Sequence, residues 1–256
     1  MTETHSSASG VTRRRFLRTV TVSTMLGSAA RTTSTSAAAG TLFGGVPEYV
    51  STYYDEDLLR RYQPRLATGH LEQKPIEMAS YVAEYADQPY AVLSYWTKYR
   101  RQTGWFSGYG LFSDSHWGDH EPVLVTVRQD DGQFGDVLRV DYAGYHWFRA
   151  TAAAWQADSE GRPLLYPFNP HHHYTLTREE GDLIELTDGT TALEEWYDDG
   201  WTSIHQDAIA DPAVMHARPS WWKEGSNQTS LIKLWSWFGL DDAGNADISL
   251  DPWGWF

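Results

Sequence analysis

The 256-residue chain contains no cysteine. Disulfide bracing, thiolate metal centres and thiol nucleophiles are thereby excluded, even though a protein working outside the cytoplasm could have used disulfides. Lysine is almost as scarce, with only Lys74, Lys98, Lys223 and Lys233. The 20 basic residues face 34 acidic ones, for a formal net charge of −14. A field of that sign repels nucleic acid and anionic membrane surfaces unless it is screened, and nucleic acid is not an expected partner. Long apolar runs are also missing. A spanning helix needs about 20 predominantly apolar residues, and no transmembrane segment is expected. There is no G-x-S-x-G elbow to locate a serine nucleophile and no glycine-rich loop to cradle phosphate.

What is present begins with an address. Arg13, Arg14 and Arg15 stand directly before Phe16 and Leu17, at the edge of a mildly apolar stretch that runs to about Ala30. A small-residue run follows, and Ala37-Ala38-Ala39 supplies an A-x-A cleavage pattern. This order resembles a twin-arginine (Tat) signal, in which Arg13, Arg14, Phe16 and Leu17 form the recognised core and the arginines act as an address, not an anchor. The resemblance implies that residues 1–39 are removed, that the Tat translocase is a transient partner, and that the protein is secreted or otherwise extracytoplasmic. No cysteine follows the apolar stretch, so a thioether-linked lipid anchor is excluded.

Without residues 1–39 the chain keeps 15 basic and 33 acidic residues, a formal charge of −18 over 217 residues. Few lysines on a strongly acidic surface is a pattern that high salt favours. In molar salt the Debye length falls to about 3 Å, so the repulsion would act only at close range. The charge therefore says more about habitat than about partners.

Residues 40–56 read as a flexible N-terminal segment and 57–256 as one domain. A short helix is expected over Asp55–Tyr62, with acidic residues in its first turn and Pro64 beyond its end. Aromatic and β-branched runs predict strands over Ile76–Ala83, Ala91–Tyr99, Pro122–Val127, Asp136–Tyr142, Leu164–Phe168 and Tyr174–Thr177. Asp130-Asp131-Gly132-Gln133 marks a turn, and a weaker helix is expected near 191–198. Amphipathic helices between the strands are missing, so the fold class is mainly β, an antiparallel β-sandwich with short peripheral helices and aromatic-rich loops. Thirteen Trp and fifteen Tyr suit a core packed with large rings, or a carbohydrate- or headgroup-facing surface.

The segment richest in chemistry is Asp114-Ser115-His116-Trp117-Gly118-Asp119-His120-Glu121, directly before the strand from Pro122. If that strand begins at Asp119, the side chains of Asp119 and Glu121 share one face, with His116 reaching back from the preceding loop and His120 turned away. One imidazole with two carboxylates suits a divalent cation, and the oxygen-rich set favours Mg²⁺, Ca²⁺ or Mn²⁺ over structural Zn²⁺. Asp114 is a possible further ligand, and so is His120 if the strand is irregular there. The alternative is a solvated polar loop. Asn169-Pro170-His171-His172-His173-Tyr174 and His146 bring further histidines to separate strand ends, the arrangement a single site at a sandwich edge requires. Asn227-Gln228-Thr229 is an N-glycosylation sequon.

Several motifs then follow in order. Leu59-Arg60-Arg61-Tyr62-Gln63-Pro64 with Glu72 and Pro75, Tyr95-Trp96, His116-Trp117-Gly118-Asp119-His120-Glu121, Val140 through His146, Trp155, Gly161-Arg162-Pro163 and His172-His173-Tyr174 resemble the β-sandwich family named for a yeast vacuolar protein sorting-associated protein, with its H-x-G-D-W-E motif. The match covers roughly residues 57–180. The H-x-x-D-x-E core is similar to that of the necrosis- and ethylene-inducing peptide-like proteins, where these residue types surround a divalent cation used in glycolipid recognition. The resemblance implies metal roles for His116, Asp119 and Glu121. It differs in two places: His120 stands where the family has Trp, and His171 or His172 where it has Ser before a His. The aspartate that completes the cytolysin site has no clear counterpart, although Asp114 could serve, so cytolytic activity is not implied.

The expected function is binding of a divalent cation and, beside it, an extracellular glycan or lipid headgroup. His146, His172 and His173 would line the site, with Trp117 and Trp147 stacking on the ligand. A metal-dependent hydrolase, with a histidine as general base, and a structural cell-surface protein are the alternatives. No catalytic residue is identifiable.

Overall fold

The computed structural model of the chain describes residues 42–102, 116–145, 148–152, 157–198, 209–213, 223–224, 242 and 245–246. All of them lie in the unit spanning Ser34–Phe256. The strands are β1 (Val50–Tyr53), β2 (Arg65–Leu66), β3 (Glu77–Tyr85), β4 (Tyr90–Gln102), β5 (His116–Asp130), β6 (Gln133–Tyr145), β7 (Phe148–Ala152), β8 (Leu164–Pro167), β9 (Tyr174–Leu176), β10 (Leu186–Asp188) and β11 (Lys223–Glu224). The helices α1 (Glu56–Tyr62) and α2 (Gly189–Asp198) accompany them.

Among the described residues the strands form two sheets. The larger has eight strands, in the order β1-β3-β4-β5-β6-β7-β11, with β10 also paired to β3. The smaller is β2-β8-β9. Most pairings are antiparallel, and the chain is a mainly β sandwich with short peripheral helices, as its strand runs and the lack of amphipathic helices between them predict. Its spine is the β3–β4–β5–β6 meander. The β5–β6 hairpin closes through Asp131 and Gly132, whose φ angles of 49° and 75° are those of a two-residue turn matched to strand twist.

The central strand shows why its run is nearly continuous in apolar residues. Both faces of β4 are covered, and Ala91 through Thr97 are all buried. On one face, Tyr95 Oη donates to the Leu59 carbonyl of α1 at 2.8 Å, and Leu66, Leu165 and Tyr174 of the small sheet join the same core. On the other, Tyr81 Oη donates to the Ile209 carbonyl at 2.7 Å. The ring of Phe43 meets Tyr81 edge-on at 5.3 Å, and Lys98 Nζ lies 4.7 Å over the Trp196 ring of α2. A fully buried side chain such as Trp96 removes roughly 150–250 Å² from water, so these rings dominate the apolar contribution. Most of the aromatic residues described here are core residues.

Helix α1 starts where its acidic first turn predicts, capped by Asp55, whose carboxylate accepts from the Leu58 N–H at 3.0 Å. Besides β2, β7 and β11, which lie outside the expected strands, three differences from the sequence reading bear on how the site is placed. Val50–Tyr53, expected within a flexible segment, instead form β1 along one half of the β3 edge, and Leu42 and Phe43 are buried upstream of it. The other half of that edge is taken by β10 in parallel register. Short edge strands carry too few residues for a period-2 pattern, and long-range pairing alone defines them. The third difference concerns β5, which begins at His116 and not at Asp119.

Candidate functional site

The site is built on the outer end of the β4–β5 ladder. In that antiparallel register Thr97 lies opposite Glu121 and Tyr99 opposite Asp119. Directly paired residues share a face, as do residues two apart on one strand, so these four side chains are neighbours on the face covered by the small sheet. His120 points the other way and stacks on Trp96 at 5.6 Å. The carboxylates of Asp119 and Glu121 thus sit side by side, as their spacing predicts. Gly118, with φ 74°, interrupts the pleat just before them, a conformation that only glycine adopts without strain.

The opposing wall is the turn between β8 and β9. It is closed by the His172 N–H donating to the Phe168 carbonyl at 2.8 Å and the Phe168 N–H donating to the His173 carbonyl at 2.9 Å. The Asn169–Pro170 peptide is cis, and His172 has φ 58°. A left-handed residue other than glycine is uncommon, and here it changes the aim of the chain. Successive side chains in extended backbone point to opposite faces. With His172 left-handed, two successive imidazoles reach the same sheet: His172 Nδ1 lies 2.7 Å from Asp119 Oδ2, and His173 Nε2 lies 3.3 Å from Glu121 Oε1. The ring of His172 stacks on Tyr99 with centroids 4.0 Å apart and planes 5° from parallel. His171 is buried beside them, 5.7 Å from His173.

All of this is out of water. Asp119, Glu121, His172 and His173 are 3 %, 7 %, 2 % and 2 % exposed. Burial, and after it the neighbouring charge of Asp119, hold the Glu121 carboxyl well above the usual carboxylate range. Burial likewise pushes the phenols of Tyr99 and Tyr174 up, with the two carboxylates adding to the effect. Tyr174 Oη donates to the Glu121 carbonyl at 3.4 Å. The site is a desolvated cluster of two carboxylates whose partners are imidazoles.

The expected residues divide as follows. Asp119, Glu121, His172 and His173 come together in one cluster. His116 and Trp117 are placed by backbone only, opposite Gln102 and Arg101 on β4. Asp114, His146, Trp147 and Asn227 lie outside the described residues, as do Arg13, Arg14, Phe16 and Leu17. Among the described residues no group of three or more His, Asp or Glu side chains is arranged to hold a metal ion. No helix among them is long and apolar enough to cross a membrane. Sequence reasoning missed Tyr99, Thr97 and Tyr174. The Tyr95-Thr97-Tyr99 alternation signals a shared face, but not what that face meets.

No family model matches the chain, and no curated protein matches it in sequence. Among solved structures it is similar to necrosis and ethylene inducing protein 2 from the causal agent of cocoa's witches' broom disease. That likeness has 15% identity and a TM-score of 0.44, and covers 63% of this chain and 88% of the other. It is also similar to the protein NLPPya in complex with mannosamine, at 13% identity and a TM-score of 0.39, over 52% of this chain and 72% of that one. The non-toxic HaNLP3 protein is similar at 13% identity and a TM-score of 0.37, over 50% and 72%.

Proposed function

We propose that the protein, exported by the twin-arginine route, binds a divalent cation at Asp119 and Glu121 and, beside it, the hydroxyl or phosphate oxygens of an extracellular glycan or lipid headgroup. The observation that carries this reading is the pair of buried carboxylates on one face of β5, matched by histidines and not by arginine or lysine. Two like charges held together out of water disfavour their own ionised forms, which is the state of Glu121. A divalent cation would remove both penalties. Carboxylate oxygens with an adjacent imidazole suit Mg²⁺, Ca²⁺ or Mn²⁺.

The chain's own groups would do the following. Asp119 and Glu121 would supply the charged oxygens, with His116 on the same strand as the third donor and Asp114 as a further one. His172, held flat against Tyr99, fixes the orientation of the Asp119 carboxylate through its Nδ1 contact, the kind of supporting bond that orients metal ligands. His173 does the same for Glu121. His146, Trp117 and Trp147 would line the ligand side. The ordered series of motifs, with H-x-x-D-x-E at its centre, supports a distant kinship with the vacuolar sorting-associated sandwich family and with the necrosis- and ethylene-inducing peptide-like proteins.

The test is elemental analysis of the protein purified in its native salt, beside the Asp119→Ala variant. One equivalent of a divalent metal is expected in the parent and none in the variant. A parent protein without stoichiometric metal, which also binds none on titration with Mn²⁺, Mg²⁺ or Ca²⁺, would sink the reading.

A further inference from the structure

The turn that carries His172 and His173 is held from outside. Asp242, 73 residues further along the chain, grips its first residue, Asn169, at three points. The Asn169 N–H donates to Asp242 Oδ1 at 2.6 Å and its side-chain Nδ2 donates to Oδ2 at 2.7 Å. In return the Asp242 N–H donates to the Asn169 carbonyl at 3.3 Å. The grip is reinforced on both sides. His70 stacks on Tyr166 at 3.9 Å, with its Nε2 2.7 Å from the Pro167 carbonyl and 3.9 Å from Asp242 Oδ2. Ala246 packs on the small cluster of Ala67, Tyr166 and Phe168, which forms the stem of the turn.

From this geometry we infer that Asp242 is a positioning residue for the histidine turn, its own hydrogen bonds going to Asn169 and not to Asp119 or Glu121. The physical argument is one of constraint. His172 occupies a left-handed conformation that a non-glycine residue does not adopt freely, and such conformations persist where the surroundings over-determine them. The two hydrogen bonds that close the turn are internal to it and move with it. The contacts made by Asp242, with the His70 contact to the Pro167 carbonyl, tie the start of the turn to other parts of the chain. Charge-assisted bonds to an ionised carboxylate are the stronger kind, and a backbone and a side-chain donor taken together fix both position and orientation. Without them the turn can relax towards extended backbone at His172, which would aim His172 and His173 to opposite sides and leave one carboxylate without its imidazole.

The inference concerns the histidine turn; only its second readout rests on the proposed cation site. The first readout is the imidazole NMR signals of His172 and His173 in chelator, compared between the parent, Asp242→Ala and Asp242→Asn. Displaced signals are expected for Asp242→Ala. Asp242→Asn, which keeps an acceptor for the Asn169 N–H, is expected to fall between. The second readout is Mn²⁺ affinity by calorimetry, expected to weaken about tenfold in Asp242→Ala and about threefold in Asp242→Asn. A brace that served stability alone would lower the melting temperature and leave both readouts where they are in the parent, and that result overturns the inference. If Asp242→Ala does not fold, Asp242→Asn and Asn169→Ala carry the same comparison. If the parent binds no Mn²⁺, the proposed cation site fails, and the imidazole signals alone decide whether Asp242 positions the turn.

Discussion

The large sheet buries carboxylates in two places, and it balances them in opposite ways. Asp141, on β6 and 0 % exposed, has Arg139 Nε at 3.0 Å, Arg149 Nε at 3.5 Å and the Thr151 hydroxyl donating at 2.6 Å. Asp119 and Glu121, on the neighbouring β5, have His172 and His173. A guanidinium is charged at every accessible pH, so the Asp141 cluster is neutralised once and for all by its own chain. An imidazole has an unperturbed pKa near 6.5, and it does not guarantee a positive charge at neutral pH. On the proposed function, the difference separates a brace from a site. Where a fold needs a buried carboxylate only for its own integrity, arginine is the economical partner. Where the carboxylates are to meet something from outside, a permanent counter-charge would compete with it.

The largest expected effect breaks the brace. Removing one partner of a buried ion pair costs about 3–5 kcal/mol. Arg139→Met combined with Arg149→Met, which removes both guanidinium partners of Asp141, should therefore lower the melting temperature by about 10 °C at 2–4 °C per kcal/mol for a chain of this size, as read by circular dichroism. Asp119→Asn in chelator should cost less than about 1 kcal/mol, since it removes a charge that nothing permanent offsets. Equal losses in the two variants would erase the distinction between the clusters.

A smaller effect lies in the pH dependence of Glu121. Its carboxyl is held above the ordinary value of 4.5, chiefly by burial. The folded protein therefore keeps this proton more tightly than the unfolded chain does. The stability that results is fully present below the unfolded value and is lost as pH rises through the folded one. Glu121→Gln cannot ionise and escapes that loss. In chelator its melting temperature should exceed the parent's by roughly 2–4 °C at pH 8, and the gap should close by pH 4. A gap independent of pH would show that Glu121 is not the group responsible.

The smallest effect concerns the stacking of Tyr99 on His172. Such ring pairs contribute about 0.5–1.5 kcal/mol beyond burial. Tyr99→Phe keeps the stack and should bind Mn²⁺ like the parent, whereas Tyr99→Leu should bind about threefold to tenfold more weakly. Identical affinities would show that Tyr99 only fills space.

Much of this was legible in the chain itself, and the legible part is local. The strand run over Asp136–Tyr142, the turn at Asp131-Gly132, the acidic first turn of α1, and the shared face of Asp119 and Glu121 with His120 turned away all follow from residue type and geometry within a few residues. The strand β1 was missed because four residues at a sheet edge carry no period of their own. The histidine run was conspicuous as composition, but its destination was not readable, since consecutive residues on regular backbone could not have met carboxylates two apart on one strand.

The sequence by itself determined a mainly β chain, an acidic surface almost without lysine, and a pair of carboxylates committed to one face of one strand. These depend on residue type and on the period of the backbone, which are properties of short segments. Only the tertiary structure decided what that face would meet. His172 and Asp119 are 53 residues apart, and Asp242 and Asn169 are 73. Their encounters depend on strand order, on a left-handed backbone at His172 and on a clasp from a distant segment, none of which leaves a periodic trace in the order of residues.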